Sequence, residues 1–386
     1  MTAAMSLMVT VTLSGCSSGS DKGTSTVDNN ASTPLAYITN ASQSTGEFGL
    51  VRDGRIIAHR TGNFISINKP VWTLDGRYVA TLDESTGSGQ LVVINGGTGA
   101  MHTIPCSSCT TLAAISRSQL LVGLDPVGAS ANGDKSADLN DLNENVSMLQ
   151  VDLSSKAPPI RVTTKLSKRA GAFEFLAGDS NETLVTTVPD LNQPEQLSLL
   201  RLDGSVQPLG SSQSSTLVGL PAAATTQTVN GRQVFALDGG WPQALPNEGG
   251  GNIFLLDAAT GKHTYTDISV FAPPDQLPSS DIQIIVFDLW WDHASTLYAT
   301  MALYVGDPHA TGTLAYKIPP RLWRLDDNRW VQVSSDRALY VRQLDARTKA
   351  VIVPLKDGDG DGPLYIDVDG KRTHLMDHVS YISTPP

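Results

Sequence analysis

Three aspartates alternate with glycines late in the sequence, at Asp357, Asp359 and Asp361. In calcium-binding loops, carboxylates at the first, third and fifth positions converge on the cation, and a glycine at the sixth permits a sharp turn. The spacing therefore predicts calcium as a cofactor, with these three aspartates as its ligands. The pattern is incomplete, because the ninth position is Tyr365 and the twelfth, usually a bidentate glutamate, is Val368. A solvated acidic hairpin without a metal is the alternative.

An apolar stretch, Met1 to Leu13, begins the sequence and leads into the tetrad Leu-Ser-Gly-Cys, which ends at Cys16. The stretch is as long as the apolar region of a signal peptide and too short for a membrane-spanning helix. The tetrad resembles the lipobox of bacterial lipoproteins. That resemblance implies a signal peptide over residues 1–16, lipidation of Cys16, and localisation at the bacterial cell membrane, lipid-anchored on the extracytoplasmic side. Residues 17–34 are polar and predict a flexible linker.

Two further cysteines, Cys106 and Cys109, lie in the segment Pro-Cys-Ser-Ser-Cys. In a cytosolic protein this spacing would indicate a redox motif or half of a zinc site. The sequence has neither a second cysteine pair nor a βαβ pattern around the first, and an exported protein enters an oxidising compartment. We therefore predict a disulfide between Cys106 and Cys109.

Composition and motifs exclude several classes of function. The formal net charge is −11, whereas nucleic-acid binding needs a basic surface that neutralises phosphates. The sequence contains no Gly-x-Ser-x-Gly motif of α/β-hydrolases, and its seven histidines do not show a paired metal-binding spacing. Nucleic acid is therefore not an expected partner, and we assign no catalytic residue.

Short strands and turn residues recur at a spacing of roughly 50 residues, which is the period of β-propeller blades. One four-stranded sheet cannot bury its own faces, so such sheets must stack around an axis. The sequence thus predicts an all-β protein, a seven-bladed β-propeller over residues 35–384, with six or eight blades as alternatives. The fifth blade is expected to begin with a strand at residues 216–220.

The two ends of the predicted propeller each contain an incomplete blade. Three strands lie between residues 35 and 60, and a lone strand, Val379–Ser383, ends the sequence. We expect the C-terminal strand to pair with the N-terminal blade, because that pairing would close the ring and remove the open sheet edges that promote aggregation.

The second blade carries the clearest motif, Trp72-Thr-Leu-Asp-Gly-Arg-Tyr-Val-Ala80. It resembles the Trp-Ser-Pro-Asp-Gly-Lys-x-Ile-Ala motif of TolB-type propellers, and the segments that begin at Leu91 and Leu255 are similar to the strand and glycine turn that follow it. The resemblance implies a propeller architecture, which is shared by proteins of very different function. Because TolB is a periplasmic partner protein, the resemblance also implies protein binding.

Connections between the second and third predicted strands are repeatedly long, at residues 125–145, 238–251, 304–320 and 357–363. In a propeller they all emerge on one face, and long connections on a rigid scaffold are where binding residues concentrate. We therefore expect a module that binds a protein or another cell-envelope component through this face. The alternative is a calcium-dependent propeller enzyme, lactonase-like or hydrolase-like, with its active site in the central channel.

Overall fold

β-Strands and the turns between them make up the described part of the chain. The computed structural model describes residues 32–40, 45–64, 69–85, 89–106, 109–115, 117–124, 145–153, 160–169, 173–179, 182–187, 196–201, 203, 205–211, 224–229, 231–238, 253–271, 282–305 and 316–386. These residues belong to one compact unit, Ser32–Pro386. Within these ranges, no helix has the length and apolar character needed to cross a membrane.

The strands follow one another in groups. The first three are β1 (Leu35–Thr39), β2 (Gly46–Arg52) and β3 (Arg55–Gly62). Five four-stranded antiparallel sheets follow, namely β4 (Val71–Trp72), β5 (Tyr78–Asp83), β6 (Gln90–Asn95) and β7 (Met101–Pro105); β8 (Cys109–Ile115), β9 (Gln119–Leu124), β10 (Asn145–Asp152) and β11 (Ile160–Arg169); β12 (Phe173–Gly178), β13 (Glu182–Thr187), β14 (Gln196–Arg201) and β15 (Val206–Ser211); β16 (Ala224–Val229), β17 (Arg232–Asp238), β18 (Ile253–Asp257) and β19 (His263–Tyr265); β20 (Ile282–Trp291), β21 (Leu297–Val305), β22 (Tyr316–Asp326) and β23 (Arg329–Gln332). The last four strands are β24 (Tyr340–Gln343), β25 (Thr348–Ile352), β26 (Gly362–Val368) and β27 (Lys371–Ser383).

The long last strand joins the two ends of the chain. Its first half pairs with β26, and its second half pairs antiparallel with β1, where Tyr381 lies opposite Ile38 and Ile382 opposite Tyr37. Strands β24–β27 and β1–β3 therefore form one seven-stranded sheet. The segment expected as a lone C-terminal strand is the second half of β27, and His378, at a φ of 55°, lies between the two halves.

Apolar clusters lie between successive sheets, which explains why the middle strands are buried on both faces. Phe48 and Ile94 belong to the cluster between the first strands and the β4–β7 sheet, and Leu91 and Leu120 belong to the next cluster along the chain. Each fully buried side chain of this size contributes about 1.5–3 kcal/mol to folding. Another cluster packs Leu35 of β1 against the side chains of β24–β27, so the last strands also share an apolar core with the first.

Two turns between third and fourth strands are built in the same way. The Asn95 carboxamide oxygen accepts hydrogen bonds from the backbone N–H groups of the second and third residues after it, both at 2.9 Å. Asp257 accepts the equivalent pair at 3.0 Å. Each turn ends in a glycine at positive φ, Gly99 at 73° and Gly261 at 68°, a conformation that costs glycine little because it has no Cβ. The sequence similarity of these segments thus reflects a shared turn geometry.

One predicted strand was wrong. The sheet that contains β17 begins with β16, Ala224–Val229, and not with a strand at 216–220, a range that lies outside the described residues. The segment Ala-Thr-Thr-Gln-Thr-Val lacks the alternation of apolar and polar residues that predicts a half-buried strand. It forms a strand because it pairs with β17, with Thr226 opposite Phe235, and its side chains are mostly half-buried.

Candidate functional site

A cavity of about 460 Å³ lies where the first strands of the successive sheets meet. Seven strand segments and the residues next to them line the cavity. They are β4, β8, β12, β16, β20, β24 and the C-terminal half of β27. Six of these strands lie at one edge of their sheet, whereas β27 lies inside the seven-stranded sheet. The cavity is therefore bounded by strands from sheets far apart in sequence, and its volume lies in the range of small-molecule sites.

A buried ion pair lies in the cavity wall, between Asp288 on β20 and Arg342 on β24. Arg342 Nη1 donates to Asp288 Oδ2 and also to the Val341 carbonyl oxygen at 2.9 Å. The guanidinium carbon lies 4.5 Å from the centroid of the Trp290 ring, an arrangement typical of a cation–π contact. Asp288 Oδ1 accepts from the Leu289 backbone N–H at 3.0 Å. Both charged groups are thus held in fixed orientations by strands of two different sheets.

Two tyrosines and a lysine lie beside this pair. The ring centroids of Tyr340 and Tyr381 are 5.5 Å apart in an edge-to-face arrangement, and Lys69 Nζ lies 5.7 Å from the Tyr381 centroid. Burial, and to a lesser degree the negative charge of Asp288, raises the pKa of both tyrosine hydroxyls above the ordinary value. Both tyrosines therefore remain neutral at physiological pH.

The residues after β27 also line the cavity and contact the β4–β5 turn. Trp72 Nε1 donates to Ser383 Oγ at 3.1 Å, and Ser383 Oγ donates to the Pro70 carbonyl oxygen at the same distance. A Cβ atom at Gly76 would lie 2.9 Å from Pro385 Cβ, and the φ of Gly76 is 66°. Glycine is thus required at this turn both for its backbone conformation and for the close approach of Pro385.

Aspartates at several turns between first and second strands have a structural role. Asp292 accepts hydrogen bonds from the backbone N–H groups of Ala294 and Thr296 at 2.9 and 2.8 Å, and Asp345 accepts an equivalent pair. These backbone hydrogen bonds lower the pKa of Asp345. At Asp75, burial acts to raise the pKa, but hydrogen bonds from the neighbouring side chains outweigh it and the pKa is lowered. The aspartate of the Asp-Gly turn between β4 and β5 therefore stabilises the turn.

A second buried aspartate, Asp238, ends β17 and has a different environment. It is 7% exposed, and among the described residues no hydrogen bond to its carboxylate is present. Burial raises its pKa to about 7, although the positive charge of Lys69 acts in the opposite direction. Asp238 therefore titrates near neutral pH, unlike the aspartates of the turns.

The three predicted calcium ligands face three different basic side chains. Asp357 forms an ion pair with Arg337, Asp359 Oδ1 lies 3.8 Å from Lys356 Nζ, and Asp361 Oδ2 lies 3.6 Å from the ring of His378. Within the described ranges, no group of three or more His, Cys, Asp or Glu side chains is placed to hold a metal ion. In this arrangement the carboxylates do not converge, so calcium binding would require them to reorient and stays a prediction.

The structure describes one of the two predicted cysteine sites. The structure pairs Cys106 with Cys109, whose Cα atoms are 5.7 Å apart and whose side chains are buried. Cys16 and the linker lie outside the described residues, as do most of the long connections between second and third strands. Lipidation of Cys16 and the role of those connections therefore stay predictions.

The charged pair of the cavity wall was not among the site residues predicted from the sequence. Asp288 interrupts the segment Ile-Val-Phe-Asp-Leu-Trp-Trp, and Arg342 lies in Leu-Tyr-Val-Arg-Gln. A charge inside an apolar strand is a usable signal, because an ionised group is rarely buried without a partner. The sequence does not show that these two residues are each other's partner, because they lie on adjacent sheets.

Comparisons with known proteins bear on the fold. An acylaminoacyl peptidase in complex with Z-Gly-Gly-Phe-chloromethyl ketone is 13% identical, with a TM-score of 0.51 over 90% of this chain and 51% of that one. Pyrococcus horikoshii acylaminoacyl peptidase in an orthorhombic crystal form is also 13% identical, with a TM-score of 0.50 over 90% and 52%. TolB from Acinetobacter baumannii is 15% identical, with a TM-score of 0.41 over 71% and 61%.

These similarities extend to architecture only. The chain spans about half the length of the acylaminoacyl peptidase chains that it matches, and identities this low show a shared fold but no shared activity. No protein-family model matches the chain, and no curated protein matches it either. Together with the four-stranded antiparallel sheets, the structural likeness supports an all-β fold consistent with a β-propeller.

Proposed function

We propose that this protein is a non-catalytic binding module, a seven-bladed propeller anchored by a lipid at Cys16 on the extracytoplasmic side of the bacterial cell membrane. The apolar residues 1–13, the lipobox-like tetrad and the polar residues 17–34 support the anchor. A disulfide between Cys106 and Cys109 would be stable in that oxidising compartment.

Seven blades and a closed ring are the arrangement that best accounts for the cavity. Its lining comes from the first strands of the five four-stranded sheets, from β24 and from the C-terminal half of β27. The seventh of these is the C-terminal half of β27, which pairs with β1 and completes a fourth strand beside β1, β2 and β3. Pairing of the two chain ends would also remove the sheet edges that an open array leaves exposed.

The positions of the strand ends are the observation that carries the binding proposal. Strand β9 ends at Leu124 and β10 begins at Asn145, whereas β16 ends at Val229 and β17 begins at Arg232. Because strands alternate in direction, connections from second to third strands leave the sheets at the end opposite to the short first turns. We infer that they form one binding face for a protein or another envelope component.

The lipid anchor is tested with the full chain expressed in a bacterial host. We expect labelled palmitate to be incorporated into the wild-type protein, which should fractionate with membranes, and both properties should be lost in Cys16→Ser. Cys109→Ser serves as the matched control and should retain the label. Labelling of Cys16→Ser, or none in the wild type, would contradict the anchor.

The binding face is tested by affinity capture from solubilised cell envelope. Replacement of residues 239–250 by a short glycine connection should reduce recovery of a specific partner at least tenfold. The same glycine segment inserted after Gly231, in the turn at the other end of that sheet, should leave capture unchanged. Equal loss in both variants, or no specific partner for the wild type, would argue against a binding face.

A further inference from the structure

We propose that the cavity is a binding site for a small monoanionic ligand, with Arg342 as the residue that recognises its acidic group. Arg342 is 8% exposed and lines the cavity from β24. This site is separate from the long-connection face and does not depend on the membrane anchor.

The guanidinium group keeps unused hydrogen-bonding capacity. Nη1 is engaged by Asp288 and by the Val341 carbonyl oxygen. The other two donor atoms, Nε and Nη2, make no hydrogen bond to a described residue. Arg342 is one of the residues that line the cavity. The Nε–Nη2 edge is the planar pair of donors that binds a carboxylate or phosphate through two parallel hydrogen bonds.

The surroundings hold this donor edge in place before any ligand arrives. Asp288 fixes one end of the guanidinium group, and Trp290 lies against its face with 4.5 Å between the guanidinium carbon and the ring centroid. A charged group that is already immobilised and mostly desolvated loses little conformational entropy when a ligand binds. Asp288 and Trp290 are therefore positioning residues, and Arg342 is the contact to the ligand.

The charges around the cavity indicate what kind of anion would fit. Lys69 and Arg342 both line the cavity, and Asp288 forms an ion pair with Arg342. Asp179 and Asp292 also line the cavity, and Asp292 uses its carboxylate in a turn. Wall carboxylates would repel a polyanion, whereas a single acidic group can take the free edge of Arg342. Trp290 and Trp291 offer apolar surface to the remainder of the ligand.

The test uses titration calorimetry on the full chain with three probes of similar shape. Benzoate supplies a carboxylate, phenyl phosphate supplies a phosphate, and benzamide is the uncharged control. We expect benzoate to bind at least tenfold more tightly than benzamide. We also expect benzoate to bind more tightly than phenyl phosphate, which carries close to two negative charges at neutral pH, and the reverse order would contradict the preference for a single negative charge.

Two variants connect this binding to Arg342. Arg342→Lys keeps the charge but removes the planar donor edge, and we expect at least a tenfold loss of benzoate affinity. Combining Asp288→Leu with Arg342→Met replaces the pair by apolar side chains, which a core tolerates better than a broken pair, and should abolish binding. Arg347→Lys, at an exposed ion pair with Asp369 in the same sheet, is the control and should leave the affinity unchanged.

Three results would overturn the proposal. They are equal affinity for benzoate and benzamide, unchanged benzoate affinity in Arg342→Lys, and no binding of either anion to the wild type. Because the probes are small molecules, failure here would leave the lipid anchor and the binding face untouched.

Discussion

Two buried aspartates of this protein have opposite electrostatic environments. Asp288 has a direct partner in Arg342, with Trp290 against the guanidinium face. Asp238, which is almost as buried, has no hydrogen bond to a described residue, and only the more distant charge of Lys69 opposes the effect of burial on its pKa. Burial alone therefore does not determine the electrostatic environment of a carboxyl group. The environment also depends on whether a neighbouring sheet supplies a charged partner for the carboxylate.

This difference separates a carboxylate that joins two sheets from one whose pKa is raised by burial. At Asp288 the partner is on the adjacent sheet, so the ion pair also ties β20 to β24. At Asp238 the carboxyl group changes its charge close to neutral pH, so its contribution to stability depends on pH. Each of the following predictions tests one side of this contrast.

The largest effect is expected from Asp288→Asn. The substitution keeps an acceptor for the Leu289 N–H but removes the negative charge, and Arg342 remains buried without a counter-charge. Breaking a buried pair in this way costs about 3–5 kcal/mol of unfolding free energy, measured by urea denaturation. Asp369→Asn breaks an exposed pair with Arg347 and should leave stability close to that of the wild type. Equal effects of the two variants would remove the distinction between buried and exposed pairs.

Asp238→Asn is expected to change the pH dependence of stability. A rise in the pKa of Asp238 from 3.8 to about 7 means that the folded state binds more protons than the unfolded state between these values. The protonated carboxyl group therefore makes its full contribution to the free energy of unfolding below pH 4. That free energy decreases as the pH rises towards 7. The Asn variant lacks this decrease, so it should match the wild type at pH 4 and exceed it by up to about 4 kcal/mol at pH 8.

Denaturation at a series of pH values tests the sign as well as the size. Asp345→Asn is the control, because backbone hydrogen bonds lower the pKa of Asp345 in the folded state. For that residue the stabilising contribution is present above its unfolded pKa and lost as the pH falls. The free energies of unfolding of the wild type and Asp238→Asn are compared at each pH. If their difference is the same at pH 4 and pH 8, Asp238 is not a titrating buried group.

Local sequence signals predicted one part of this architecture and not the other. The strands and turn of the Trp72 motif lie where the alternation and the Asp-Gly turn place them, and the C-terminal segment pairs with β1 as expected. These features depend on patterns within a few residues or on the pairing of one strand. Strand β16 was misplaced because its polar residues form a strand only through pairing with β17.

The charged wall of the cavity depends on information that a single sequence does not display. Asp288 and Arg342 meet only because adjacent sheets place β20 beside β24. The same reasoning applies to Asp357, Asp359 and Asp361, whose spacing fits a calcium loop although their actual neighbours include Arg337, Lys356 and His378. Composition and spacing identify which residues could do chemistry, and the packing of sheets determines which of them share a site.

The smallest effect is expected for calcium at Asp357, Asp359 and Asp361, which are half-buried and paired with basic side chains. Calcium at a hundredfold excess over its dissociation constant would raise the unfolding free energy by about 2.7 kcal/mol. The net gain should be smaller, because the carboxylates must first leave these partners. We expect calcium chloride to raise the Tm of the wild type but not of Asp359→Ala, and Asp336→Ala, outside the loop, to respond like the wild type. An unchanged wild-type Tm would mean that the three aspartates serve as partners for Arg337, Lys356 and His378, and that spacing alone misidentified a calcium site.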